Sequence, residues 1–110
     1  MAFYPGCRSF LNKEGWYPDG PLLMLLAEKD DWTPSGFCVE LSKRDLVRDR
    51  TEAVVYPDAY HGFDAPDAPL RQRRDLPNVP DGTAHFGTDE SARKDSIGRV
   101  TKFLQDNLRG

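Results

Sequence analysis

The sequence is poor in cysteine, in long apolar runs and in excess charge of either sign. Cys7 and Cys38 are too few for a disulfide framework, so we expect two reduced thiols in a cytoplasmic protein. No stretch approaches the roughly 18 apolar residues of a membrane span, and the first residues lack the basic-then-apolar order of a signal segment. The formal net charge of -3 argues against nucleic acid as a partner, because phosphate binding rests on clustered Lys and Arg.

The ligand spacing of a metal site is also missing. His61, His85 and nearby aspartates supply the right atoms, but their spacing matches no known metal motif. His85, in a loop with Gly and Thr-Asp after it, is more typical of a hydrogen-bonded structural residue. We therefore predict neither a metal nor a cofactor.

Two apolar runs predict the centre of the fold. Leu22–Ala27 shows no polar alternation, which favours a parallel strand buried on both faces, and Thr51–Tyr56 is a second strand rich in β-branched residues. A helix over residues 34–44 is predicted between them, with Thr33 as its capping residue. Its buried residues would be Phe37, Cys38 and Leu41. Residues 1–4 add a short first strand, so the chain is expected to form one α/β domain over residues 1–110.

The segment at residues 65–87 differs from the rest. It carries four prolines, the basic cluster Arg71, Arg73 and Arg74, and little periodicity. We interpret it as a long loop, serving either as a lid or binding loop or as a solvated excursion.

The chain ends in an amphipathic pattern of helical period. Thr88 or Asp89 would cap this helix, and Gly110 would stop it. The apolar residues share one face at helical spacing. They are Ile97, Val100, Phe103, Leu104 and Leu108.

An acid and a histidine follow two of the predicted strands. Asp30 and Asp31 come after the second strand, and His61 lies just past the end of the third. Side chains at the carboxyl ends of parallel strands share one crevice. A carboxylate bonded to one ring nitrogen fixes the histidine tautomer and makes the other nitrogen a base. Acid then histidine is also the last part of the nucleophile, acid, histidine order of α/β-hydrolases.

Four stretches at these positions resemble the C-terminal half of the dienelactone hydrolase family. They are Phe-Tyr-Pro-Gly-Cys at residues 3–7, Leu-Leu-Ala-Glu-Lys-Asp-Asp-Trp-Thr-Pro at 25–34, Tyr-Pro-Asp-Ala-Tyr-His-Gly-Phe-Asp at 56–64, and His-Phe-Gly-Thr-Asp at 85–89. The resemblance implies part of an α/β-hydrolase sheet, about three strands with flanking helices, and a Cys/Ser-His-Asp site for esters or lactones. It implies Asp30 as the acid, with Asp31 as the alternative, and His61 as the base.

One departure from that family pattern shapes the functional prediction. The chain contains no Gly-x-Cys-x-Gly or Gly-x-Ser-x-Gly elbow, so neither the nucleophile nor the oxyanion hole built beside it is recognisable. We expect half a hydrolase site, inactive alone. Weaker candidates for binding an ester or lactone are Trp32, Phe63 and Arg71. The exposed edge of residues 2–4 predicts a homo-oligomer, or pairing with a missing N-terminal half.

Two alternatives stay open. The first is an active small hydrolase with a nucleophile in an unexpected place, with Cys7 as the best candidate and Cys38, Ser35 and Ser9 behind it. The second is a non-enzymatic module that binds a small ligand in the same crevice or acts in assembly.

Overall fold

A three-stranded parallel sheet forms the centre of the protein. The computed structural model describes residues 1–77 and 79–108. The strands are β1 (Ala2–Phe3), β2 (Leu22–Ala27) and β3 (Thr51–Tyr56), in the order β1-β2-β3. Met24 lies opposite Ala2 on one side and Ala53 on the other. The α/β fold class is confirmed, and the second and third strands begin and end where the apolar runs predict.

In the described part of the chain, four helices accompany this sheet. They are α1 (Arg8–Leu11), α2 (Ser35–Ser42), α3 (Asp45–Arg48) and α4 (Glu90–Asn107). Helix α2 buries Cys38 and Leu41 as predicted, while Phe37 is only partly buried. The prediction of Thr33 as the cap is wrong: Pro34 occupies the N-cap position, and no side chain caps this helix. The Thr33 hydroxyl has different partners, described below.

The segment at residues 65–87 contains a small second sheet. Strands β4 (Arg71–Arg73) and β5 (Ala84–Phe86) pair antiparallel, with Gln72 opposite His85. The prediction of a long loop is therefore wrong for the residues of these two strands. All three residues of β4 are exposed, so the strand has no buried face, and hydrophobic alternation could not have revealed it.

The last helix is present as predicted, and its predicted apolar face is right in part. Asp89 caps α4 by accepting a hydrogen bond from the Ala92 main-chain N–H at 2.9 Å. Val100 and Phe103 of the predicted stripe are partly buried and pack against the core, whereas Ile97 and Leu108 are 50% and 73% exposed. The buried positions of the helix are the small residues Ala92 and Ser96, which the apolar pattern did not include. Gly110 lies outside the described residues.

Alternate residues of β2 divide the core into two layers. Leu23, Leu25 and Ala27 face the layer that α4 covers, and Met24 and Leu26 face the layer of α2 and α3. Within the part of the chain that the structure describes, no helix has both the length and the hydropathy needed to cross a membrane.

A disulfide joins Cys7 to Cys38 in the second layer, with 5.1 Å between their Cα atoms. The expectation of two reduced thiols is therefore wrong. Cys7 follows β1 and Cys38 lies on the helix after β2, so the pairing of these neighbouring strands brings together two cysteines that are 31 residues apart.

Candidate active site

Asp30 is a buried carboxylate in the turn after β2. Its side chain is fully shielded from solvent, a costly position for a charge that lacks partners. Its Oδ1 accepts hydrogen bonds from the main-chain N–H groups of Trp32 at 2.9 Å and Thr33 at 2.7 Å. The Asp-Asp-Trp-Thr order thus folds into an aspartate turn that satisfies one carboxylate oxygen and leaves Oδ2 for another group.

His61 meets that second oxygen. Its Nδ1 lies 3.0 Å from Asp30 Oδ2, and its side chain is 15% exposed. A carboxylate accepts hydrogen bonds only, so in the neutral imidazole the proton belongs on Nδ1, and Nε2 carries the free lone pair. None of the residues at 1–77 or 79–108 forms a hydrogen bond with Nε2.

Thr33 is a third member of this cluster that the sequence did not reveal. Its Oγ1 lies 2.9 Å from the Tyr4 carbonyl oxygen, 3.0 Å from Asp30 Oδ2 and 3.1 Å from His61 Nδ1. The hydroxyl has one hydrogen, and both the Tyr4 carbonyl and the Asp30 carboxylate can only accept it. The Thr33 hydroxyl therefore donates to one of these two oxygens at a time, while the Nδ1–H of His61 is within reach of both Asp30 Oδ2 and the Thr33 oxygen.

Aromatic rings hold the imidazole in place. The centroid of the His61 ring is 4.1 Å from that of Tyr4, 4.9 Å from Trp32 and 6.3 Å from Phe86. The Tyr4 hydroxyl donates a hydrogen bond to Asp64 Oδ1 at 2.6 Å. Burial, this hydrogen bond and the negative charge of Asp64 raise the pKa of Tyr4 well above its usual range. Tyr4 is therefore a neutral wall of the site and no acid at neutral pH.

The structure requires a glycine at position 62, directly after His61. Its φ is +81°, and a Cβ there would lie 2.3 Å from Cε2 of Phe86. Both the left-handed backbone and the close approach of the ring require the absence of a side chain. The carbonyl of His61 accepts a hydrogen bond from the Gly87 N–H at 3.1 Å. The end of β5 is thereby fixed against the histidine segment.

Asp31, the alternative acid, contacts a different histidine. Its Oδ2 lies 2.6 Å from His85 Nδ1, and its Oδ1 accepts the His85 main-chain N–H at 2.8 Å. Partial burial alone would raise the pKa of Asp31, but the hydrogen bonds from His85 and its charge outweigh burial and lower this pKa below its usual value. Of the two neighbouring aspartates, Asp30 is the one that contacts His61.

The three weaker binding candidates occupy very different places. Trp32 packs on His61 and lines a cavity of about 330 Å³ together with Arg8 and Phe37. Phe63 is fully buried and packs among core aromatic rings, away from this cavity. Arg71 is exposed on β4, directly opposite Phe86 in the hairpin. Only Trp32 combines contact with the histidine and access to a cavity.

The proposed internal nucleophiles do not reach the histidine. Cys7 and Cys38 are joined in the disulfide, so neither is a thiol, and the prediction of Cys7 as nucleophile is wrong for this oxidised form. Ser9 and Ser35 form no hydrogen bond with His61 in the described part of the chain. Across residues 1–77 and 79–108, no three His, Cys, Asp or Glu side chains converge on a possible metal position.

Comparison with known protein families gives a match that covers nearly the whole chain. The dienelactone hydrolase family matches residues 1–108, which is nearly the whole chain. The chain belongs to the dienelactone hydrolase family. A search of curated proteins and a search of solved structures each found no significant match. Family membership confirms the resemblance seen in the sequence, and the three-stranded parallel sheet with flanking helices agrees with part of the dienelactone hydrolase fold.

Proposed function

We propose that this chain supplies the acid and base of an ester or lactone hydrolase site. The observation that carries the proposal is the hydrogen bond between the shielded carboxylate of Asp30 and Nδ1 of His61. It is the geometry in which a carboxylate orients an imidazole and stabilises the imidazolium that forms during acyl transfer. Membership of a hydrolase family supports this assignment.

The chemical step assigns one task to each residue. The Nε2 of His61 takes the proton of a hydroxyl or thiol nucleophile while that oxygen or sulfur bonds to the carbonyl carbon of the ester. The same nitrogen then returns the proton to the departing alcohol as the bond from carbon to oxygen breaks. Water repeats the two transfers and releases the acid. Asp30 keeps its negative charge throughout and holds the ring in one tautomer.

The nucleophile in this proposal comes from polypeptide outside the 110 residues. Among the described residues, strand β1 pairs with β2 alone and so forms an edge of the sheet. Tyr4 follows that strand, and its ring packs on His61. A strand from an N-terminal half, added at this edge, would end close to the histidine. A second copy of this chain would cover the same edge but would bring no Gly-x-Cys-x-Gly or Gly-x-Ser-x-Gly elbow. Light scattering tests the second copy: a monomer at micromolar concentration contradicts self-pairing.

The experiment uses an added small primary alcohol as the nucleophile and an activated short-chain aryl ester as the acyl donor. Positioned general bases contribute about 10²–10⁴-fold to rates. We expect the wild-type chain to transfer the acyl group at least about tenfold faster than His61→Ala, because an untethered alcohol captures only part of that effect. Asp30→Asn should fall close to His61→Ala, since the tautomer is no longer fixed.

Asp81→Ala is the matched control, because it removes an exposed side chain from the turn between β4 and β5 and leaves both histidines in place. It should transfer the acyl group as fast as the wild type. Equal rates for wild type and His61→Ala would refute the general-base role. Equal losses in His61→Ala and Asp81→Ala would attribute the effect to a general disturbance of the fold.

The alternative function is the binding of a small ligand without turnover. The observation that favours it is the cavity of about 330 Å³ beside Trp32, where the Arg8 guanidinium lies 5.8 Å from the centre of the Phe37 ring. The cavity has mainly apolar walls and three polar side chains, Arg8, Asp31 and Thr33, and a lining of this kind is typical of ligand sites. A rise in melting temperature with aromatic carboxylates, abolished in Trp32→Ala and accompanied by no hydrolysis of their esters, would favour binding over catalysis.

A further inference from the structure

The protein contains a second acid–histidine pair beside the first. Asp30 and Asp31 are adjacent in the sequence, yet each holds a different histidine, His61 and His85 respectively. The first carboxylate is fully shielded, whereas the side chains of Asp31 and His85 are 41% and 37% exposed. An exposed ion pair contributes little to stability on its own, so the geometry of this pair, rather than its charge, indicates what it does.

Both oxygens of Asp31 bond to the same residue. Oδ1 accepts the main-chain N–H of His85 at 2.8 Å, and Oδ2 contacts its Nδ1 at 2.6 Å. A side-chain contact alone would leave the backbone free, but the second bond fixes the main chain of β5 relative to the turn that carries Asp30. Tyr60 directly precedes His61 in the sequence. Its ring packs on the His85 imidazole, with 5.1 Å between the two ring centres.

The other end of β5 is attached to the His61 segment. Gly87 donates its N–H to the His61 carbonyl at 3.1 Å, and Phe86 forms an isolated parallel bridge with His61. The Phe86 ring fills the space that a side chain at Gly62 would need. His85, the middle residue of β5, is therefore bonded to the turn that carries Asp30 and Asp31. Phe86 at the end of β5 and Gly87 directly after it are bonded to the histidine segment.

We propose that Asp31 and His85 are positioning residues for the Asp30–His61 pair. They hold β5 so that the main chain of His61 stays at the distance where Nδ1 reaches Asp30 and Nε2 faces outward. The inference rests on the proposed function for its catalytic meaning, but it concerns the geometry of His61 and can be measured without turnover.

The test is nitrogen NMR of the His61 ring in four proteins. In the wild type and in Asp81→Ala, a matched exposed carboxylate in the same hairpin, we expect one tautomer with the proton on Nδ1. In Asp31→Ala, which loses both bonds to His85, we expect a mixture of the two tautomers. His85→Ala keeps the bond from its main-chain N–H to Asp31, so its share of the second tautomer should lie between those of the wild type and Asp31→Ala. The Gly87 amide should exchange with solvent slowest in the wild type, faster in His85→Ala and fastest in Asp31→Ala.

A folded Asp31→Ala whose His61 tautomer and Gly87 exchange match those of Asp81→Ala would overturn the proposal. If Asp31→Ala does not fold, His85→Ala decides, because its half-exposed ring can be removed without opening the core; a wild-type His61 spectrum there overturns the proposal as well. Failure of the ester assay with an intact effect on the His61 tautomer would refute catalysis and leave the positioning role supported.

Discussion

Removing the disulfide should cost this protein a large part of its stability. The bridge between Cys7 and Cys38 closes a loop of 31 residues, and the chain-entropy relation for such a loop gives about 3.7 kcal/mol of stabilisation, acting through the unfolded state. Domains of this size have a total free energy of unfolding of about 5–15 kcal/mol. Reduction should therefore remove between about a quarter and three quarters of the free energy of unfolding.

The assay compares oxidised and reduced protein of identical sequence in urea, so that no packing change enters the comparison. With an m value of about 1–3 kcal/mol per molar urea, the midpoint should fall by about 1–4 M. Cys7→Ala/Cys38→Ala should show a similar loss, increased by the cavity that two buried side chains leave. If two thiols react with a thiol reagent when the chain is unfolded without reductant, the disulfide is refuted. If reduction leaves the urea midpoint unchanged, the stabilising role of the disulfide is refuted.

Further substitutions have directions set by the structure. Gly62→Ala should destabilise by several kcal/mol, roughly 1–2 from its left-handed φ and the rest from the Phe86 ring, whereas Gly98→Ala in open space on α4 should stabilise slightly in the same thermal melts. Thr33→Val should cost about 1–3 kcal/mol by leaving a carbonyl unpaired; denaturant titration checks this, and Thr33→Ser with the same loss would contradict it. Burial raises the pKa of Tyr56, and the hydrogen bond to Asp95 and the charge of that carboxylate raise it further. The folded state therefore binds more protons than the unfolded state and loses stability as pH rises above the ordinary tyrosine pKa of about 10. Tyr56→Phe should flatten this alkaline decline, and an unaltered slope of unfolding free energy against pH would count against the shift.

The sequence predicted those parts of the fold that carry their own signal. β2 is buried from Leu23 to Ala27, as its lack of polar alternation predicts. β3 is marked by its β-branched residues, although only Tyr56 of this strand is buried, and the cap of α4 has a side chain of the right type at the right place. The hairpin of β4 and β5 gave no such signal, because the three residues of β4 are all exposed. Its pairing is determined by contacts with distant segments.

The candidate site was predictable in its two principal residues and not in their surroundings. Asp30 and His61 follow two strands, and parallel strands bring their carboxyl ends together. Thr33 was misassigned because Thr before Pro is also a helix-capping pattern, and only the fold shows its hydroxyl turned toward Tyr4. The disulfide was missed since two cysteines 31 residues apart reveal their proximity only once β1 is known to pair with β2.

The most direct test of the account is the tautomer of His61 in the wild-type chain at neutral pH, read from the nitrogen NMR signals of its ring and compared with Asp30→Asn. The account predicts a proton fixed on Nδ1 and an unprotonated Nε2 in the wild type, and a mixture of tautomers when Asp30 loses its charge. A wild-type ring protonated on Nε2, or a ring that Asp30→Asn leaves unchanged, would contradict the claim that Asp30 prepares His61 as a base.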